Sequence, residues 1–149
     1  IQGAAVYSRA AGGAATPAWS LVTAATPEVS GAFRIAWHYI SGSSFTGDYA
    51  VDTVTIQGVD YDFDADVGGF ITTSGIDTAS SETALSNSIT VPTGADRVLG
   101  QWNRLANGTP SSGTGPTEAE SSPYNVYTET SGSNQGNANM WLFSPQITV

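Results

Sequence analysis

Carboxylates are the most numerous groups in this chain that could do chemistry. The 149 residues contain 13 Asp and Glu, four arginines and no lysine, and the formal net charge is −9. In β-rich proteins carboxylates bind cations such as calcium, and pairs of them hydrolyse glycosidic bonds. A simpler alternative is that the acidity serves solubility. Because nucleic acids and anionic membranes attract basic surfaces, we expect neither nucleic-acid binding nor membrane insertion.

Residues for other catalytic chemistry are scarce. His38 is the only histidine, no carboxylate stands at a local spacing that would orient it, and cysteine is absent. A Gly-x-Ser-x-Gly nucleophile motif is absent too. Asp62 and Asp64 are spaced to share a strand face, as a glycosidase pair would, but no aromatic-lined cleft can be recognised around them. We therefore predict a protein that is not an enzyme, with His38 in a structural or surface role.

The elements that must position these groups read as strands. Charged residues are only 11% of the chain, and no window keeps a helical period. Aliphatic, aromatic and threonine residues between turn formers predict eight strands, at residues 4–10, 19–23, 32–40, 50–57, 61–64, 88–91, 124–130 and 139–143. Residues 66–81 and 107–123 are predicted as loops. Short strands at this spacing favour a sandwich or a barrel.

Residues 32–40 show the clearest alternation. One face would carry Phe33, Ile35, Trp37 and Tyr39, and the other Arg34, Ala36, His38 and Ile40. Within residues 50–57, Thr53 and Val54 compete for the core side, so we expect a bulge there. The seven-residue connection between these two segments, residues 41–47, favours an antiparallel return. Core packing is the expected role of the four tryptophans, with sugar stacking as the alternative.

The motifs follow a recognisable order. Residues 33–55 combine a hydrophobic strand, a Gly-Ser-Ser-Phe-Thr-Gly-Asp loop and an Ala-Val-Asp strand. Residues 61–149 contain Asp-Phe-Asp, Trp102, a Thr-Gly-Pro loop, Tyr-Asn-Val-Tyr-Thr-Glu and Leu-Phe-Ser-Pro in sequence. This set resembles the MAM domain, an adhesion module, with residues 1–58 similar to the family's C-terminal part and residues 59–149 to its N-terminal part.

The resemblance implies one domain over residues 1–149, a two-sheet antiparallel jelly-roll sandwich of the concanavalin type, circularly permuted. The family's strand after Ser-Pro has no counterpart here, so a neighbouring copy could supply it by strand exchange at the termini. The first residue is not Met, and we expect a processed or excised segment. Animal members carry cysteines, and this chain has none.

The resemblance also implies a cation site. By their place in the motifs, the residues that would bind calcium are Asp48, Asp52, Asp64, Glu118 and Glu120. The alternative is a solvated acidic rim. The family's Asp-Asp pair appears here as Asp52-Thr53, which departs from the pattern.

A strand beside the long loop offers residues for a glycan or protein partner. These are Tyr124, Asn125 and Tyr127. Asn107-Gly-Thr109 fits an N-glycosylation acceptor, which matters only in a eukaryotic secretory pathway.

Together these features predict a non-catalytic structural or adhesion module of a cell or virus-particle surface. It would contact copies of itself as a homo-oligomer, other surface proteins or glycans. The alternatives are a carbohydrate-binding module and, less favoured, a glycoside hydrolase.

Overall fold

All regular secondary structure in the described part of the chain is β-strand. The computed structural model describes residues 19–25, 28–41, 48–74, 81–84, 102–109, 115–121, 123–128 and 139–149, with backbone only for residues 73, 74 and 81–84. The strands are β1 (Ala32–Phe33), β2 (Ala36–Ile40), β3 (Tyr49–Val51), β4 (Val54–Ile56), β5 (Val59–Tyr61), β6 (Ile71–Ser74), β7 (Ser81–Ala84), β8 (Trp102–Ala106), β9 (Tyr124–Thr128), β10 (Asn139–Phe143) and β11 (Ile147–Thr148). The all-β prediction is confirmed for these residues, and no helix among them is long and apolar enough to cross a membrane.

The strands form several antiparallel sheets. The largest has the order β2-β10-β6-β7, and a second has the order β3-β9-β8. Two strand pairs, β4-β5 and β1-β11, complete the described sheets. The predicted strands at residues 4–10 and 88–91 lie outside the described residues.

One hydrophobic core lies between the inner faces of the two larger sheets. Its buried side chains are Val51, Ile56, Phe63, Phe70, Trp102, Val126, Met140, Leu142 and Ile147. The Thr72 hydroxyl on β6 accepts a hydrogen bond from the Trp102 amide on β8 at 3.2 Å, and it donates one to the Trp141 carbonyl at 3.0 Å. The arrangement is sandwich-like, with β6 tied to β8 across the core.

The predicted alternation in residues 32–40 is confirmed. Phe33, Ile35, Trp37 and Tyr39 are half-buried and contact the core, whereas the residues between them are exposed. The predicted strand is nevertheless divided into β1 and β2. Its partner contains Pro145, which has no amide hydrogen to donate. The register between the two segments shifts there by one residue, as in a β-bulge, and Ser144 bonds Ile35 through its backbone amide and its hydroxyl.

The irregularity expected in residues 50–57 lies at Asp52–Thr53. β3 ends before it and pairs with β9, and β4 begins after it and pairs with β5. Thr53 has a φ of 46°, a left-handed conformation that ends the first strand. The return between residues 32–40 and 50–57 differs from the prediction, because β2 pairs with β10 and β3 with β9.

Three sequence-based assignments are wrong. Residues 19–23 form no strand, and Leu21 is 94% exposed, because none of the described sheets covers that apolar run. The predicted loop at 66–81 contains β6 and the first residue of β7. The strand predicted at 61–64 ends at Tyr61, so Asp62 and Asp64 do not share a strand face. Phe63 between them has a φ of 61°, and the Asp62 carboxylate accepts the Asp64 amide at 3.0 Å.

Candidate functional site

The predicted cation ligands gather around one loop segment, residues 115–121. Asp52 directly follows β3 and lies beside this segment. Its Oδ2 accepts the backbone amides of Glu120 and Ser121 at 2.8 and 2.9 Å. Its Oδ1 accepts the Thr53 amide at 2.7 Å and the Ser121 hydroxyl at 3.2 Å. The Asp52 carboxylate therefore fastens the loop segment to the sheet.

Burial is the largest cause of the pKa shift of the Asp52 carboxylate. Desolvation raises the pKa of Asp52 above its ordinary value, and the hydrogen bonds from Ser121, Thr53 and Glu120 offset only part of that rise. Near the same point the Thr53 hydroxyl donates to Glu120 Oε2 at 2.9 Å. A rigid, partly desolvated carboxylate of this kind suits a structural role.

Asp64 and the buried Arg104 both contact Tyr124, which follows the loop segment in sequence. The Asp64 Oδ1 accepts the Tyr124 amide at 3.0 Å. Arg104 is 3% exposed, and it donates to the carbonyls of Phe63 and Asp64 at 2.5 and 2.7 Å. Its guanidinium carbon lies 3.6 Å from the centroid of the Tyr124 ring, a cation–π contact. Arg104 therefore stabilises the left-handed bend at Phe63.

The remaining predicted ligands border the same loop segment. Asp48 lies against Gly115, where an added Cβ would meet the Asp48 Cβ at 3.0 Å. The Glu118 carbonyl accepts the Trp19 indole N–H at 2.9 Å. Among the described residues, no three His, Asp or Glu side chains converge to hold a metal ion. The structure thus brings the five acidic residues to one region, and the calcium site stays a prediction.

The predicted glycan-contacting residues differ in exposure. Asn125 and Tyr127 are 0% and 1% exposed, and Tyr124 is half-buried beneath Arg104. The Asn125 side-chain amide donates to the carbonyl of Asn107. Of the three residues, only Tyr124 has surface to offer a partner.

A second candidate surface lies on the outer side of the largest sheet. We call it the aromatic face, formed by the outward side chains of β2 and β10, which are Ala36, His38, Ile40, Asn139, Trp141 and Phe143. The His38 and Trp141 rings stack with centroids 3.7 Å apart and planes 8° apart. The Trp141 and Phe143 rings are also parallel within 8°, with centroids 5.9 Å apart. None of the six residues is Asp, Glu or Arg.

Strand geometry explains how these rings are arranged. His38 stands opposite Trp141 in the register, so the imidazole lies across the strands from the indole and covers one of its faces. Phe143 is two residues along the same strand, and it extends the parallel aromatic surface in that direction. His38 Nε2 lies 2.6 Å from Asn139 Oδ1, which fixes the imidazole. The result is a row of parallel rings with Asn139 at its polar end, and we call the rings of Trp141 and Phe143 the Trp141–Phe143 wall.

Core packing is the role that the sequence predicts for all four tryptophans. Trp102 is fully buried and Trp37 contacts the core, whereas Trp141 points to the opposite side. The missed signal is the alternation in β10, where Met140 and Leu142 are 0% exposed and must face inward. Trp141 and Phe143 then have to share the outer face.

Comparison with known proteins adds no relative to these observations. No family model, curated protein or solved structure matches the chain. Function is therefore inferred from the chain's own geometry.

Proposed function

We propose that this protein is a non-catalytic adhesion or structural module, a jelly roll exposed on a cell or particle surface. It acts by contact with copies of itself, other surface proteins or glycans. The observation that carries the proposal is the aromatic face, where His38 and Ile40 are exposed and the rings of Trp141 and Phe143 are half-buried. Contiguous exposed apolar surface of this kind is typical of interaction sites.

The composition of the aromatic face supports recognition. Aromatic side chains offer large contact area at low conformational cost, and they are enriched in protein interfaces. Ile40, 67% exposed, widens the patch at the end of β2. A sheet face meant only for water would carry polar residues at these alternating positions.

The groups that could do chemistry support a non-catalytic role. His38 stacks on Trp141 and bonds Asn139, so its ring serves the face. The Asp52 carboxylate accepts the amides of Glu120 and Ser121 in the loop segment, and the Asp64 carboxylate accepts the Tyr124 amide at the start of β9. These contacts use the candidate catalytic groups as structural ones.

A surface variant tests the proposal. Ile40→Ser combined with Trp141→Ser removes the apolar area, and Leu21→Ser removes a still more exposed apolar side chain from residues 19–25. We expect the double variant to lose self-association in sedimentation and attachment to glycan-bearing cell surfaces, while the Leu21 variant keeps both. Unchanged association and attachment in the double variant would overturn the proposal.

A further inference from the structure

We propose that the aromatic face binds a neutral, linear polysaccharide, with a sugar ring stacked on the Trp141–Phe143 wall. This inference rests on the proposed function, and it names the chemical class of the partner. The faces of a pyranose ring carry C–H groups, and its hydroxyls project from the rim. Aromatic faces carry negative charge density that attracts such C–H groups.

The indole is held ready for this contact. His38 stacks on one face of Trp141 at 3.7 Å and is itself fixed by Asn139 at 2.6 Å. The ring therefore loses little conformational freedom when a ligand arrives. Phe143, parallel within 8°, continues the surface along β10 and offers a second ring to the next sugar of a linear chain. His38 acts as a positioning residue for Trp141.

Polar groups border the wall, as sugar hydroxyls require. The contact with His38 uses Oδ1 of Asn139, so the side-chain NH2 of Asn139 can donate to a hydroxyl. His38 directs Nε2 to that oxygen, and its other ring nitrogen can accept. A few placed polar groups beside an apolar surface are typical of ligand sites that fix orientation.

Charge selects a neutral partner. The chain carries a net charge of −9 and 13 carboxylates, yet none of the six residues of the aromatic face is Asp, Glu, Lys or Arg. Nucleic acids and sulfated or uronic-acid polymers would be repelled by the rest of the molecule. A neutral glycan meets no such repulsion.

The test uses four neutral hexasaccharides, namely cellohexaose, xylohexaose, laminarihexaose and mannohexaose, with polygalacturonate as the anionic comparison. Calorimetry gives affinity, and tryptophan fluorescence reports contact with the indole. We expect at least one neutral probe to bind and polygalacturonate not to bind. Trp141→Ala should weaken binding about tenfold or more, equivalent to about 1.4 kcal/mol. Trp141→Phe should weaken it less, and Leu21→Ala should leave it unchanged.

Circular dichroism and the thermal midpoint check that each variant folds, and Trp141→Phe keeps the test valid if Trp141→Ala does not. The inference is overturned if none of the four probes binds, or if binding survives in both Trp141 variants. If no probe binds while self-association still depends on Ile40 and Trp141, the glycan inference fails and the proposed function stands. If neither glycan binding nor association depends on these residues, both fail.

Discussion

The outer faces of the two larger sheets differ in the exposure of their side chains. On β8 and β9 the outer side chains are Asn103, Leu105, Asn125 and Tyr127, and all are at most 2% exposed. On β2 and β10 the outer side chains include exposed His38 and Ile40 and half-buried Trp141 and Phe143. The covered face thus buries Leu105 and Tyr127 together with two asparagines, whereas the open face brings His38, Trp141 and Phe143 to the surface.

Partition between water and core alone does not explain the two buried asparagines or the aromatic rings at the surface. Buried asparagines are tolerated where hydrogen bonds satisfy them. The Asn125 side-chain NH2 donates to the Asn107 carbonyl, whereas its buried Oδ1 has no hydrogen-bond partner among the described residues. Exposed rings lose the stabilisation that burial would give, about 25 cal/mol for each Å² of apolar surface. The difference indicates that the covered face contributes more to stability, and it leaves the open face for the contact role that we propose.

The largest effect is expected at the buried end of the covered sheet. Arg104→Met should lower the free energy of unfolding by about 3 kcal/mol or more, because the carbonyls of Phe63 and Asp64 lose a charged donor. Arg34→Met is the control, since Arg34 is exposed and donates only at the strand interruption. Urea denaturation measures both, and a loss below about 1 kcal/mol for Arg104→Met would contradict its anchoring role.

Truncating one aromatic on each face sharpens the comparison directly. Tyr127→Ala, at a side chain 1% exposed, should cost about 3 kcal/mol through a cavity. Trp141→Ala should cost about 1 kcal/mol, because its ring stacks on His38 at the surface. Thermal and chemical denaturation give both values. Equal losses would show that the outer face of β10 contributes to stability as much as the covered face does.

The sequence predicted the strands with strong alternation and missed what depends on tertiary contact. Residues 32–40 and 139–143 were assigned correctly because period-two burial is visible in their side chains. β6 and β7 were missed because Thr, Ser and Gly favour loops locally, and only pairing with β10 makes this segment a strand. The family resemblance implies that Asp52 and Glu120 lie close together, and Asp52 accepts the Glu120 amide. No local pattern reveals that Arg104 is buried beside Asp64.

Asp52 provides a pH-dependent test of the loop segment. Asp52→Asn should destabilise the protein by about 1 kcal/mol at neutral pH, because an amide nitrogen cannot accept the Glu120 or Ser121 amide. The raised pKa of Asp52 means that the folded state binds its proton more tightly than the unfolded state does. The contribution of Asp52 to stability is therefore complete below its ordinary pKa, and part of it is lost as pH rises through the raised value.

Unfolding free energies of wild type and Asp52→Asn, measured from acid to neutral pH, check this sign. The stability advantage of wild type should shrink as pH rises through that window. An advantage that grows with pH would show that the hydrogen bonds outweigh desolvation.

The smallest effect is expected away from both faces, at the turn between β4 and β5. Gln57 and Gly58 form a two-residue connection with φ values of 51° and 78°. Gly58→Ala should cost about 1 kcal/mol through backbone strain alone, because no atom lies within 4 Å of the added Cβ. Gln57→Asn should stabilise the turn by a few tenths of a kcal/mol, since Asn tolerates positive φ better. A neutral Gly58→Ala in urea denaturation would contradict the turn geometry.

The central claim is that the open face of β2 and β10 is the contact surface. Nuclear magnetic resonance can follow the indole N–H signals of Trp141 and Trp102 while the protein is titrated with the neutral hexasaccharides, and again while protein concentration alone is raised. We predict that the Trp141 and Asn139 side-chain signals move in at least one series, while the signal of fully buried Trp102 stays in place. Signals that move only around residues 115–124, or in neither series, would contradict the account.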